Sequence, residues 1–521
     1  MEAKAADRSA SGETGRRELF LVFASGFATL AVEIVGAKLQ GPFFGNSHFV
    51  WTNQILVTLL ALAAGAWLGG RLADRGGGRA WFPLMFHVAA GWLCLLLPIL
   101  EKANYFFLRF HVGPGAILAS AFFYFVPLTA LGAAPPLAAA ALIDERRGAG
   151  RVAGRVFGVA TLGGVAGCAV AGGLLIPSFA NEVSLLIAAC GILAVGVWGA
   201  WGAWVSIGRG RKRAVVVAFA GLLVLIGVAG CLTQLKPRRG LGVEIARHAS
   251  GHSLLLVMEE TESGLRYLMD DFVLQNCFDP ARGRSCASFT RALRALTLAY
   301  AGVPEKALCV GLGIGVVPME LERAGSDVEA VEIHPGIPTL AEFHFQFDPG
   351  AVRVHHGDGR GFLHGRQGEY DVIVLDAFSG DSSPSHLLTR EALADAREAL
   401  RPAGVLILNC IASLEPGRDL FVRSVERTLE TVFRECALHV SPGGNLFFVA
   451  GDGDLVPDFE RGLEGVDDAF RERVAKTFAD RRRALSPGGL VLTDDFNPIE
   501  FHDAAYRAAA REKLAWLMYR D

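Results

Sequence analysis

The chain has 521 residues, of which 52% are hydrophobic and only 20% are charged. Soluble domains are about 25% charged, so this composition excludes a protein that is soluble along its whole length. The formal net charge of −3 argues against a nucleic-acid partner, because phosphate binding needs a basic face.

The apolar excess lies in the first half of the chain and indicates membrane helices. A helix needs about 20 apolar residues to cross the hydrocarbon core. Seven such runs precede residue 240: Leu19–Leu39, Val50–Leu68, Trp81–Leu100, Ala116–Leu142, Val152–Phe179, Val183–Trp204 and Ala214–Leu235. The first run is not interpreted as a secretory signal, because six more follow it. We predict an N-terminal tail at 1–18, a transmembrane domain at 19–235 and a linker at 236–250.

Two features inside the predicted spans stand out. Glu33 places a carboxyl group at membrane depth, which indicates either a proton or cation site or a hydrogen-bonded lock between helices. Glycines of the fifth span predict close helix packing; they are Gly163, Gly164, Gly167, Gly172 and Gly173.

From residue 242 onward, charged residues return and short apolar runs alternate with amphipathic stretches, as in βαβ units. The predicted strands are Ala307–Val310, Val328–Glu332, Val352–His355, Val372–Leu375 and Gly404–Leu408. The predicted helices lie near Val316–Arg323, Ile337–Phe345, Gly361–Gly365 and Arg390–Leu400. The expected fold class is a membrane α-helical domain followed by an α/β Rossmann-like domain at 301–521, with a small β-hairpin and helix subdomain at 251–300.

A glycine-rich turn, Gly311-Leu-Gly313-Ile-Gly315, follows the first predicted strand. Glycines there allow the backbone to approach a ligand and to turn sharply into a helix. The second strand ends 21 residues after Gly311, at Glu332, where a carboxylate can accept ribose hydroxyls. A dinucleotide site would require glycine in place of Val316. The pattern therefore predicts an S-adenosylmethionine-type, methyltransferase-like site rather than a plain strand–turn–helix junction.

Two further carboxylates follow strands of the same predicted sheet. Asp358 and Gly359 come after the third strand, where the acid can accept the adenine amino group and the glycine leaves room for the ring. The fourth strand, Tyr370-Asp-Val-Ile-Val-Leu-Asp376, stops at a carboxylate. Because ligands of doubly wound sheets bind at the carboxyl ends of the strands, Asp358 and Asp376 are candidate site residues.

Together these motifs resemble the spermidine synthase (polyamine aminopropyltransferase) family, in its bacterial branch fused to an N-terminal multi-span membrane domain. The resemblance covers roughly residues 250–450 and includes Leu268-Met-Asp-Asp-Phe-Val-Leu-Gln275 ahead of the sheet. The later segment Leu492-Thr-Asp-Asp-Phe-Asn-Pro498 is similar to a C-terminal motif of that branch.

The resemblance implies an enzyme that transfers an aminopropyl or related alkyl group from decarboxylated S-adenosylmethionine, or from S-adenosylmethionine, to an amine such as putrescine. The implied nucleoside-binding residues are Gln275, Gly311, Gly313, Gly315, Glu332, Asp358 and Gly359. Asp376 would orient and deprotonate the amine, which has a pKa of about 10.4 and attacks only when neutral. The implied substrate-binding carboxylates are Asp271, Asp381 and Asp495. We expect no metal site and no tightly bound cofactor, and as partners the two small molecules, the bilayer and a second copy of the chain.

Three departures from the family pattern leave the donor and the acceptor open. Ile314 stands where the family has an aspartate that faces the amine of the transferred group. Ser288-Phe289-Thr290 replaces an expected Tyr-Gln pair, and Asp381 is displaced by one position. The alternatives are an S-adenosylmethionine-using transferase or lyase with a different acceptor, and a nucleoside-gated transporter or sensor.

Signals in the sequence conflict on which side of the membrane the second half lies. Basic residues cluster in the N-terminal tail and in every second loop, which predicts a cytoplasmic N-terminus, and seven spans then place the second half outside. The basic segment 236–239, a cytosolic nucleotide substrate and an irregular fourth span at Pro135-Pro136 favour the cytoplasm instead, and we expect a multi-pass inner or cell membrane protein with a cytoplasmic catalytic domain. A bridge between Cys277 and Cys286 would indicate an oxidising space.

Overall fold

The computed structural model describes residues 2–45, 48–75, 78–110, 112–143, 148–204, 210–234, 242–250, 253–378, 384–482, 488–499 and 502. The chain divides into two compact units. The first comprises Met1–Lys236 with Ala249–Gly251, and the second comprises Pro237–His248 with His252–Asp521.

The first unit is a bundle of apolar helices. They are α1 Glu2–Phe44, α2 His48–Asp74, α3 Gly78–Leu96, α4 Leu100–Leu108, α5 Val112–Ser120, α6 Val126–Gly132, α7 Ala134–Leu142, α8 Ala149–Val170, α9 Ile176–Ser178, α10 Asn181–Trp204 and α11 Gly210–Gln234. Short 3₁₀ or π-helical turns join several of them into longer rods. Among the described residues, six segments are long and apolar enough to cross a membrane. They are Gly15–Phe44, Val50–Asp74, Trp81–Leu108, Gly113–Leu142, Ala149–Ser178 and Asn181–Ala200. The seventh predicted span falls in α11, whose described apolar part, Ala220–Thr233, is shorter.

Glycines allow α8 to pack directly on α1, as the sequence predicts. A methyl group at Gly163 or Gly167 would overlap the backbone carbonyls of Phe23 and Phe27 on α1. Gly172 and Gly173 differ from that prediction, because a side chain at either position would meet open space. The fourth span is continuous but irregular, since α7 begins directly ahead of the two prolines, which occupy its first turn.

The second unit begins with a small five-stranded sheet. Its strands, adjacent in chain order, are β1 Val243–Ala249, β2 Leu254–Glu259, β3 Arg266–Asp270, β4 Val273–Asp279 and β5 Arg284–Ser285. Strands β2 to β5 pair antiparallel. The hairpin β3–β4 turns through Asp271 and Phe272, both with positive φ. A disulfide joins Cys277 on β4 to Cys286 just beyond β5, with Cα atoms 5.1 Å apart. Helix α12, Ser288–Ala301, then leads into the larger sheet.

The larger sheet alternates strands and helices along the chain. Its elements are β6 Lys306–Val310, α13 Val316–Arg323, β7 Asp327–Glu332, α14 Gly336–Phe345, β8 Arg353–His356, α15 Gly359–Leu363, β9 Tyr370–Leu375, α16 Arg390–Ala399, β10 Leu400–Ile411, α17 Leu420–Val432, β11 Glu435–Val440, β12 Asn445–Gly451, α18 Phe459–Leu463, α19 Asp468–Ala479 and β13 Arg481–Arg482. The strand order is β13-β11-β12-β10-β9-β6-β7-β8. Strands β6 to β10 are parallel to one another, while β12 runs antiparallel to both β10 and β11.

The sheet is covered on both faces, which is why its central strands are almost wholly apolar. Residues of β6 and β9 alternate between two buried clusters, so that Ala307 and Cys309 face one layer of helices and Leu308 and Val310 face the other. The strand order reverses between β6 and β9. From β6 the chain continues through β7 to β8 at one edge of the sheet, and from β9 it continues to β10 and the strands of the other edge. The carboxyl ends of these two strands therefore form the crevice in which such sheets bind ligands. The predicted fold class, a membrane helical domain followed by a Rossmann-like domain, is confirmed.

Candidate active site

The crevice at the switch point is bordered by Gly311 after β6 and Asp376 after β9. The backbone N–H of Asp376 donates to the carbonyl of Val310 at 2.9 Å. A side chain at Gly311, whose φ is +100°, would overlap the carbonyl oxygen of Asp376. Glycine is therefore required at 311 because the two strand ends approach this closely.

The other two loop glycines have different surroundings. Gly315 has φ +78°, and a side chain there would overlap the ring of Phe347. Gly313 has φ +54° and no atom near its absent side chain, which leaves one side of the loop open. Between them, Ile314 is 1% exposed and belongs to the buried core. The loop thus presents backbone toward the crevice and an apolar side chain toward the interior.

Glu332, the last residue of β7, lies beside this loop and is 8% exposed. Its carboxylate accepts the backbone N–H of Leu312 at 3.0 Å and that of His334 at 2.8 Å. Burial raises the pKa of Glu332, and the backbone N–H donors oppose that rise. Backbone N–H groups of Ile333 and Gly313 also interact with this carboxylate, which is a hydrogen-bond acceptor only when ionised.

Asp358 follows β8 and caps the N-terminus of α15. One carboxylate oxygen accepts the backbone N–H of Gly361 at 3.1 Å, and the other lies 2.8 Å from Nε2 of His386. Burial acts to raise the pKa of Asp358, but the His386 contact and the backbone donors hold that pKa below its usual value. A side chain at Gly359 would overlap Val310, so glycine brings this turn against β6.

Asp376, directly after β9, has a strongly perturbed carboxyl group. Burial raises the pKa of Asp376 to about 6, and a hydrogen bond from Asn409 works in the opposite direction. The amide Nδ2 of Asn409 donates to Oδ1 of Asp376 at 2.7 Å. Asn409 is itself held by Asn445, whose Nδ2 donates to the Asn409 Oδ1 at 3.1 Å. One oxygen of Asp376 is thus oriented by a two-amide chain, and the other remains for a ligand.

The sequence prediction did not include Asn409, although the sequence carries a signal for it. In the parallel pairing of β9 with β10, Leu375 is opposite Leu408, so the next residues, Asp376 and Asn409, are neighbours. Asn409 is a polar residue that interrupts the apolar run of a central strand. His386 carried no such signal, because it lies in a short turn far along the chain from Asp358.

The C-terminal motif lies beside the Asp358 turn. Arg360 donates to the carboxylate of Asp494 at 2.7 Å, and Asn497 donates to the carbonyl of Ser385 at 2.8 Å. Asp495 is exposed at the same turn. The carboxylate of Asp494 therefore pairs with Arg360.

The remaining predicted residues lie elsewhere or are not described. Asp271 occupies the β3–β4 turn, where its carboxylate accepts the backbone N–H of Leu254 at 3.0 Å, and Gln275 lies on β4. Both belong to the small sheet. Asp381 lies outside the described residues. No group of three or more metal-ligating side chains occurs in the part of the chain that the structure describes.

The larger sheet is parallel apart from two reversed strands, β12 and β13. With a glycine loop after β6 and carboxylates after β7, β8 and β9, it belongs to the methyltransferase-like Rossmann class. No profile of a known protein family matches the chain. Curated relatives do match. A polyamine aminopropyltransferase of Vibrio vulnificus is 41% identical over 116 residues, 21% of this chain and 39% of the relative.

Two further relatives match longer stretches at lower identity. A spermidine synthase of Schizosaccharomyces pombe is 25% identical over 196 residues, 35% of this chain and 65% of that one. An N-terminal histidine N-methyltransferase of Emericella nidulans is 27% identical over 291 residues, 50% of each chain. This chain thus spans less than two thirds of the length of each relative. The resemblance to the spermidine synthase family is confirmed, and two of these three relatives are transferases by name.

Solved structures with a similar fold have low identity. A probable spermidine synthase from Corynebacterium glutamicum is 16% identical, with a TM-score of 0.37, over 48% of this chain and 98% of that one. Human Methyltransferase-like protein 13 in complex with SAH is 23% identical, with a TM-score of 0.28, over 38% and 92% of the two chains.

Proposed function

We propose that the second unit is a transferase that moves an alkyl group, in the first instance aminopropyl, from a sulfonium nucleoside to an amine nitrogen. The observation that carries the proposal is Asp376, a shielded carboxyl group at the switch point with a pKa of about 6. At pH 7 such a group is mostly ionised and can accept a proton.

The reaction requires no other acid or base. The lone pair of a neutral amine attacks the carbon next to the sulfonium, and the carbon–sulfur bond breaks with its electrons on sulfur. The amine arrives as an ammonium and becomes this neutral nucleophile by giving one proton to the second carboxylate oxygen of Asp376, and the product nitrogen keeps its remaining protons as an ammonium. Because a sulfonium already leaves readily, positioning and charge supply most of the remaining rate enhancement.

The nucleoside would bind across the neighbouring carboxylates. Glu332 would accept the ribose hydroxyls and Asp358 the adenine amino group, with the open side of Gly313 against the ligand. The relatives that are named polyamine aminopropyltransferases and spermidine synthase support decarboxylated S-adenosylmethionine as donor and an amine such as putrescine as acceptor. The roles of Gln275, Asp271, Asp381 and Asp495 stay predictions.

Methyl transfer from S-adenosylmethionine to an amine is the second candidate. Ile314 is buried in the core, so the loop has no carboxylate there to hold the ammonium of an aminopropyl donor. The 291-residue match to an N-terminal histidine N-methyltransferase also favours methyl transfer, with a peptide amine as acceptor.

Product analysis decides between the two. Purified full-length protein is incubated with each nucleoside, together with putrescine or with a peptide that begins with histidine, and the products are identified by mass spectrometry. Aminopropyl transfer gives 5′-methylthioadenosine and spermidine, whereas methyl transfer gives S-adenosylhomocysteine and a methylated amine. Absence of product and of binding with both nucleosides would reject both candidates.

We also propose that the catalytic unit faces the extracytoplasmic side, against our sequence expectation of the cytoplasm. The disulfide between Cys277 and Cys286 is the observation that favours an oxidising space. This placement requires α11 to cross the membrane as a seventh span after the six long segments. Reactivity of both thiols toward maleimide in intact cells, without reductant, would contradict this placement.

A further inference from the structure

The carboxylate of Asp358 has a side-chain partner that comes from the segment between β9 and α16. Nε2 of His386 lies 2.8 Å from one oxygen of Asp358, and the other oxygen accepts the backbone N–H of Gly361 at 3.1 Å. The backbone N–H of Arg360 also interacts with this carboxylate. An ionised carboxylate can only accept hydrogen bonds, so Nε2 of His386 carries the proton of their contact. Both oxygens of Asp358 are therefore held in direction.

A segment near the end of the described chain positions the turn that carries His386. The carbonyl oxygen of Ser385, the residue before His386, accepts Nδ2 of Asn497 at 2.8 Å. The segment that carries Asn497 is anchored by Leu492, which is 0% exposed and whose backbone N–H donates to Oγ1 of Thr428 at 2.9 Å. The backbone that presents the imidazole is thus tied to a packed part of the second unit.

The contact between Asp358 and His386 leaves an acceptor position open to a ligand. The side chain of Asp358 is 40% exposed and that of His386 is 47% exposed. A carboxylate has about four acceptor positions, and the imidazole and the two backbone N–H groups account for three of them. A further N–H donor can therefore reach Asp358 while His386 stays in contact with it.

We propose that His386 is a positioning residue that gives the nucleoside site its preference for a 6-aminopurine, by holding Asp358 as an acceptor for the exocyclic amino group. The assignment of Asp358 to adenine rests on the proposed function. A 6-amino group donates N–H, whereas the 6-oxo group of hypoxanthine presents an oxygen that an ionised carboxylate repels. Without His386 the carboxylate can turn toward water, and an acceptor of variable direction distinguishes the two bases less well.

Calorimetry with two nucleosides measures this preference on the full-length protein in lipid nanodiscs. The nucleosides are 5′-methylthioadenosine and 5′-methylthioinosine, which differ in the 6-amino and 6-oxo groups of the base. The wild type should bind the adenine nucleoside about 10- to 100-fold more tightly, as expected for a hydrogen bond to a charged group. In His386→Ala the Kd for 5′-methylthioadenosine should rise about tenfold. The Kd for 5′-methylthioinosine should change less than about twofold, because its base does not use the acceptor on Asp358.

Two further variants separate positioning from a general loss of structure. His386→Gln places an amide N–H within reach of Asp358 in place of Nε2, and it should restore most of the preference for the adenine nucleoside. The matched control is His364, directly after α15, whose Nδ1 lies 3.1 Å from a carboxylate oxygen of Asp395. His364→Ala removes a contact of the same type and should leave both dissociation constants unchanged.

A double-mutant cycle tests whether His386 acts through Asp358. Asp358→Asn keeps the size of the side chain, but its single amide oxygen cannot serve both the backbone N–H of Gly361 and the base. In that background His386→Ala should change the Kd for 5′-methylthioadenosine less than about twofold.

Two results would overturn the proposal while leaving the proposed function in place. One is the same preference for the adenine nucleoside in the wild type and in His386→Ala. The other is an equal effect of His386→Ala with Asp358 and with Asn at that position. If the wild type binds neither nucleoside, the proposed function is rejected together with this inference, so the two failures are told apart.

Discussion

The two ends of the proposed catalytic crevice differ in how their carboxylates are held. At the proposed nucleoside end, backbone N–H donors of adjoining turns hold both Glu332 and Asp358, and Asp358 has His386 as a further partner. At the amine end, Asp376 is oriented by the side chain of Asn409, and the loop carries Ile314 where relatives are expected to have an aspartate. A substitution in a turn leaves the backbone N–H donor in place, whereas a side-chain hydrogen-bond partner is lost when that one residue changes. The difference suggests a constant donor site and a variable acceptor site.

Replacement of Asp376 should separate the two ends most strongly. Asp376→Asn keeps the size of the side chain but removes the proton acceptor, so turnover should fall about 10²- to 10⁴-fold. Nucleoside affinity, measured by calorimetry, should stay within about twofold. A variant that retains wild-type turnover would remove Asp376 from the chemistry.

Glu332→Gln should weaken nucleoside binding and leave turnover almost unchanged, which is the reverse of the result expected for Asp376→Asn. The amide cannot accept as strongly from the backbone N–H groups of Leu312 and His334 or from a ribose, and hydrogen bonds to charged groups contribute about 1.5–3 kcal/mol. The Kd for the nucleoside should rise about 10- to 100-fold, while turnover at saturating nucleoside changes little. Unchanged affinity in calorimetry would place the nucleoside elsewhere.

Asn409→Leu should shift the pH dependence of turnover. The reaction needs the ionised form of Asp376, which is present above its pKa and lost as the pH falls through about 6. The Asn409 hydrogen bond lowers that pKa, so its removal moves the acid limb of the profile to higher pH. A rise of about one pKa unit would lower the ionised fraction of Asp376, and with it the rate at pH 6, about fivefold, with nucleoside affinity unchanged. If turnover of Asn409→Leu falls at the same low pH as that of the wild type, Asn409 does not lower the pKa of Asp376.

The smallest effect is expected from the surface pair at the nucleoside end. Asp494 pairs with Arg360 near the Asp358 turn, but the pair is largely exposed. Because exposed ion pairs contribute about 0–1 kcal/mol, Asp494→Asn should change nucleoside affinity less than about fivefold. A larger loss would indicate that the C-terminal motif contacts the ligand directly.

The sequence predicted the features that depend on neighbours along the chain. Strands β6, β7 and β9, helix α13 and the glycine loop all follow from local periodicity and turn chemistry. Asn409 and His386 were missed because their roles arise from strand register and from a turn distant in sequence. The antiparallel pair β11–β12 was also not predicted, although β12 supplies Asn445 to the amine end.

The position of the nucleoside can be determined from a structure of the full-length protein with bound 5′-methylthioadenosine. We expect ribose hydroxyls within hydrogen-bonding distance of Glu332, the adenine amino group at Asp358 and the sulfur facing the second carboxylate oxygen of Asp376. A nucleoside bound with its sulfur away from Asp376, or outside the crevice between β6 and β9, would contradict this expectation.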